Sequence, residues 1–95
     1  MKSARFLPGD RIRVSADFFW AKNALGTISE PPSEVVAISG PWEDNLTRIE
    51  KSALGERTVY WVWFDEPQVD ADGDGPYTGG GIHENALTLV SKASN

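Results

Sequence analysis

The sequence predicts a small all-β protein, an antiparallel barrel of short strands. Three observations point there: short runs of alternating or branched residues recur along the chain, turn residues separate them, and no segment has the spacing of a long amphipathic helix. Ninety-five residues suffice for one compact domain, taken as residues 1–95, with a single modest core.

The first strand follows the Pro8-Gly9 turn in "FLPGDRIRVS". Alternation there sets Ile12 and Val14 on one face and Arg11 and Arg13 on the other. "LGTISEPP" supplies a second, short strand opened around Gly26. Pro31 and Pro32 stop it, because proline has no N–H for a ladder. An insert follows over residues 33–58. Within it "EVVAIS" reads as strand, "GPW" as a turn, and "EDNLTRIEKSALG" as either a short helix or one arm of a hairpin. "TVYWVWFDEP" is the most β-prone segment and is expected to close at Pro67. Its alternation places Tyr60, Val62 and Phe64 on one side and Val59, Trp61 and Trp63 on the other, so both faces are apolar. An acidic, glycine-rich loop spans residues 68–81. After a tight turn at "HENA" comes a closing strand with Leu87 and Leu89, and residues 91–95 are expected to fray.

Composition narrows the function classes. A hydrophobic content of 40% and a charged content of 24% fit a folded domain rather than a disordered or membrane chain. The longest apolar stretch, Val59–Phe64, is far too short to cross a bilayer. No basic start followed by an apolar run marks a signal peptide, so the expectation is a cytoplasmic protein without a membrane partner. No cysteine means no disulfide and no thiolate zinc site, and a single histidine, His83, builds no imidazole cluster.

The net charge of −5 is unevenly spread: residues 1–29 carry five basic and two acidic groups, residues 30–95 four basic and twelve acidic. That balance argues against a nucleic-acid partner, which would call for a basic patch. His83 beside Glu84 is a poor acid–base pair, since strand neighbours point to opposite faces. No nucleophile, base and orienting group can be named together, so no enzymatic activity is expected.

The run "DADGDGPY" poses the sharpest chemical question. Asp70, Asp72, Asp74 and Gly75 match positions 1, 3, 5 and 6 of an EF-hand-type calcium loop, and Thr78 falls at position 9. Position 12, where a bidentate glutamate is required, is Gly81. The alternative is a solvated turn in which aspartates bond their own backbone. Asp65, Glu66, Asp70, Asp72 and Asp74 place five like charges within ten residues and no Lys or Arg among them. A calcium ion, a basic partner protein or an intramolecular arginine would relieve that repulsion.

Four tryptophans are more than so small a core needs. Trp61 and Trp63 are either covered by the insert or, with Trp42 and Tyr77 beside Asp65 and Glu66, form an aromatic and acidic protein-binding patch. A self-complementary patch would make a homodimer. In "DFFWAKN", Phe18, Phe19 and Trp20 are adjacent and cannot all point inward, so Trp20 joins the candidate binding residues.

The order "PGDRIRV", "GTI", "YWVWFDEP", "IHENALTLV" resembles small SH3-like barrels such as photosystem I reaction-centre subunit IV, the variable chain of ferredoxin–thioredoxin reductase and the barrel of nitrile hydratase beta chains. The match covers about half the chain in four short pieces. It implies a small SH3-like antiparallel barrel, with the insert between the second and third matched strands, that binds or braces other proteins rather than catalysing a reaction. The insert and the acidic loop depart from that pattern, so those families' own partners do not carry over. The leading expectation is a non-enzymatic interaction module binding through an aromatic and acidic surface. The alternatives are a small calcium-binding module on the 70–81 loop and an immunity or inhibitor protein masking a basic enzyme surface.

Overall fold

The computed structural model describes residues 6–39, 42 and 47–93. Along these run strands β1 (Arg11–Val14) and β2 (Leu25–Ile28), helix α1 (Ser33–Ser39), and strands β3 (Thr47–Ser52), β4 (Gly55–Gln68) and β5 (Tyr77–His83). A 3₁₀ turn at Glu84–Ala86 leads into β6 (Leu87–Ser91). All pairings are antiparallel, in the order β3-β4-β2-β1-β6, with β5 also on β4, giving the small, all-β, barrel-like architecture that the strand pattern predicts.

β4 organises the molecule. Its first half pairs with β3 across the Ala53-Leu54 turn, with Thr47 opposite Tyr60 and Ser52 opposite Gly55. Further along, Val62–Phe64 pair with β2, while Val59–Trp63 pair on the other edge with β5. The expected alternation is present. Tyr60, Val62 and Phe64 enter the main core with Phe6, Ile12, Val14, Ile28, Ile82 and Leu87. Val59, Trp61 and partly buried Trp63 face the other way and form a second core with Trp42, Val35 and Val36. Covering each such side chain is worth roughly 1.5–3 kcal/mol, so one strand holds two apolar layers in place.

Four features differ from the sequence expectation. "EVVAIS" is not a strand but helix α1: the N–H groups of Val35 and Val36 both donate to the carbonyl of Pro32, and packing on the tryptophans overrides the β preference of the valines. β4 does not close at Pro67. Its ladder to β5 jumps from Trp63–Gly79 to Gln68–Tyr77, and Pro67 lies in the unpaired stretch where a missing N–H costs nothing. Leu87 and Leu89 alternate in the closing strand but do not share burial: Leu87 is core and Leu89 is 39% exposed, beside the register shift that opposes Ile12 to Leu89 and Arg11 to Ser91.

The last difference lies at the C-terminal end, where residues 91–93 do not fray. Ser91 ends β6, and Ala93 N–H donates to Asp10 Oδ1 at 2.8 Å, while Asp10 Oδ2 accepts from Leu7 N–H at 3.0 Å. Asp10 is buried because two backbone donors from opposite ends of the chain replace its water. Of the insert, 47–52 is one arm of a hairpin, whereas Gly40, Pro41 and 43–46 lie outside the described residues, as do 94–95. Among the described residues no helix is long and apolar enough to cross a membrane.

Candidate functional site

The triple glycine Gly79–Gly81 sits in β5, not in a loop, and it decides where the tryptophans go. A Cβ on Gly79 would lie 2.9 Å from the Trp61 indole, and one on Gly80 would lie 2.5 Å from the Trp20 ring. Neighbouring strand residues face opposite sides, so the two bare positions seat one tryptophan on each face. Trp61 joins Trp63 and Trp42 edge-on, at centroid distances of 5.6 and 6.3 Å. Trp42 and Trp61 are each only 8% exposed, which removes them from the open patch considered above: with Val35 and Val36 over them, they are core. Trp61 Nε1 is buried there without a hydrogen-bond partner among the described residues.

Trp20 is different. It packs edge-on against Phe64 at 5.5 Å and against Tyr77 at 6.1 Å, and it stays half-exposed. Its loop is held by Asn23 N–H to the Val14 carbonyl (3.0 Å) and Ala24 N–H to the Ala21 carbonyl (3.1 Å), with Ala21 and Asn23 at φ of 51° and 64°. Left-handed backbone at non-glycine residues costs on the order of 1 kcal/mol each, and this loop carries two. The result sorts the aromatic triplet. Phe18 is buried beside His83, Phe19 is 62% exposed, and Trp20 lies between.

The acidic turn adjoins this surface. Asp70 Oδ1 accepts from the N–H groups of Asp72 and Asp74, both at 2.9 Å, and Asp70 N–H donates to the Asp74 carbonyl at 2.9 Å. The turn is therefore an aspartate-capped loop closed by its own backbone. Gly75, at φ +125°, has no room for a Cβ beside the Gln68 carbonyl and Tyr77 N, and its peptide bond to Pro76 is cis. One carboxylate oxygen from each of Asp70, Asp72 and Asp74 falls within 4.8 Å of the others. Thr78 and Gly81, needed at the later positions of a calcium loop, belong to β5 instead. Tyr77 joins the two features: it touches Trp20, and its phenol is pushed above the usual range by lost hydration first and then by the Asp70 and Asp74 charges.

Asp65 and Glu66, predicted with this patch, lie on the unpaired stretch of β4 and line a groove of about 460 Å³ whose other wall runs from Lys22 to Leu25. Asp65 has its own counterion. Arg11 reaches across Thr27 (2.9 Å) to hold both carboxylate oxygens, at 2.6 and 2.5 Å, which keeps Asp65 below the ordinary carboxylate range and Arg11 above its own. His83 does not pair with Glu84. Its Nε2 meets Glu50 Oε1 at 2.8 Å, while Glu84 accepts from the buried Tyr60 hydroxyl at 3.2 Å. The triple glycine, assigned to the loop from the sequence, was the local signal that could have pointed to the tryptophan seats. The partners Arg11, Glu50 and Asp10 are set by strand register and distant contacts.

The chain matches no family model, no curated protein and no solved structure.

Proposed function

We propose that this chain is a non-enzymatic protein-binding module that meets a basic partner protein through Trp20, Tyr77 and the Asp70–Asp74 turn. The observation that carries this reading is the position of Tyr77, 42% exposed, in contact with Trp20 and within the field of Asp70 and Asp74. Amphipathic aromatics at the centre of a surface supply most of an interface's binding energy, and flanking charges speed the encounter and select its sign. Asp65 contributes little to partner choice, because Arg11 already neutralises it.

The test is site-directed photocrosslinking in cells. A photoreactive residue replaces Tyr77 in one form and the 87%-exposed Leu54 in another. A basic protein captured from position 77 and not from position 54 is the expected result. Equal capture at both positions, or at neither, would refute the reading.

A second reading is a cation site, favoured by the three carboxylate oxygens gathered within 4.8 Å. A hard cation such as calcium takes six to eight oxygens, and the turn itself offers three side chains. Calorimetric titration with calcium of the parent and of Asp72→Ala decides it: heat in the parent that is lost in the variant supports a site, and no heat in the parent removes it.

A further inference from the structure

We propose that the corner between Trp20 and Tyr77 seats an arginine side chain of the partner, its guanidinium against an aromatic face and its charge toward Asp70, Asp72 and Asp74; this rests on the protein-binding reading above. The two rings meet edge to face, at 84° with centroids 6.1 Å apart, and with Tyr77 42% exposed and Trp20 partly exposed they present a right-angled aromatic surface to solvent. Phe64, at 90° to Trp20, backs the inner wall, and Gly80 fixes the depth of the indole.

Charge complementarity names the occupant. Among the described residues none of Asp70, Asp72 and Asp74 makes an ion pair, whereas Asp65 has Arg11 and Glu50 has Arg48. On β3 and β4, Glu50, Glu56 and Asp65 each meet a basic side chain from within the chain, whereas Glu66 and the three aspartates beside the aromatic corner have no such partner among the described residues. An aromatic face attracts a cation through its quadrupole. A planar guanidinium can lie flat on the ring while its edge donates to carboxylates, which the compact, strongly hydrated ammonium of lysine cannot do as well.

The experiment uses the intact ¹⁵N-labelled chain and two probes, acetyl-Gly-Arg-Gly amide and the same peptide with citrulline, the neutral counterpart of arginine. The arginine peptide should shift the Trp20 indole N–H and the Tyr77 amide, and bind about fivefold or more tightly than the citrulline peptide. Tyr77→Phe, which keeps the ring, should retain that preference, and Tyr77→Leu should lose most of it. Asp72→Asn with Asp74→Asn, which leaves the rings in place, should weaken the arginine peptide and leave the citrulline peptide unchanged.

Equal binding of the two peptides by the parent would overturn the seat. So would a preference undiminished in Tyr77→Leu, since attraction to the acids alone would then suffice. Crosslinking of a partner at position 77 together with no preference for arginine would sink the seat while leaving the protein-binding reading intact, so the two fail separately.

Discussion

Trp61 and Trp20 rest on adjacent glycines of β5, one on each face, yet the first is sealed and the second is only partly buried. The difference comes from what covers each face. α1 and Trp42, both contributed by the insert, close over Trp61, whereas Trp20 rests on Phe64 and Gly80 of the main core with Tyr77 at its edge and stays partly exposed. Aromatic content alone therefore says little about an interface. What matters is whether the chain brings its own cover, and here the insert between β2 and β4 provides it on one side only.

The largest expected effect breaks the comparison directly. Trp61→Ala should cost about 3–5 kcal/mol, as for a buried large aromatic, and Trp20→Ala roughly half as much, both read by urea unfolding. Trp61→Phe should lose far less than Trp61→Ala, because both remove the unpartnered indole N–H but only phenylalanine keeps an aromatic ring in the packed layer. The glycine seats come next. Gly79→Ala and Gly80→Ala should each cost about 1–3 kcal/mol by overpacking. The Gly80→Ala penalty should largely vanish in a Trp20→Ala background, a coupling that a double-mutant cycle measures. Additivity there would mean that Gly80 is not the seat.

Smaller effects belong to the open side. Asp70→Ala removes the acceptor of two backbone N–H groups and should cost about 1 kcal/mol, with faster amide exchange at Asp72 and Asp74 as the readout. Tyr77 is held in its neutral form, so its contribution is complete below the ordinary phenol pKa and is lost as pH rises through the raised one. Its absorbance should ionise later than that of an unfolded tyrosine, and Asp70→Asn should narrow the gap. The smallest effect is the Arg11–Asp65 pair. Asp65 is depressed, so the pair acts above the unfolded carboxylate range and fades as pH falls through the folded value. Being exposed and screened by water, it contributes little, and Asp65→Asn should flatten the acid limb of a stability–pH profile only slightly.

Much of this architecture was legible in the sequence, because period-2 alternation reports directly which strand face is buried: Ile12 and Val14 in β1, and the two apolar rows of β4, lie where the pattern puts them. What escaped depends on contacts between distant residues. Val35 and Val36 read as strand from their branching, and only docking on tryptophans some 25 positions ahead makes them helical. The tail beyond Ser91 reads as loose because its anchor, Asp10, lies 83 residues away. The acidic run was visible at once, but not its neighbour: that Tyr77 leans on Trp20 follows from the bulged register between β4 and β5, which no local pattern encodes.

The sealed and open sides can be compared in one measurement on the unmodified chain: the relaxation that a soluble paramagnetic probe induces in the ring resonances of the four tryptophans. Strong broadening of Trp20, with Trp42 and Trp61 nearly untouched, is the predicted result. Trp61 as accessible as Trp20 would mean that the insert does not cover β4, and the division of the molecule into a closed aromatic core and an open aromatic surface would be wrong.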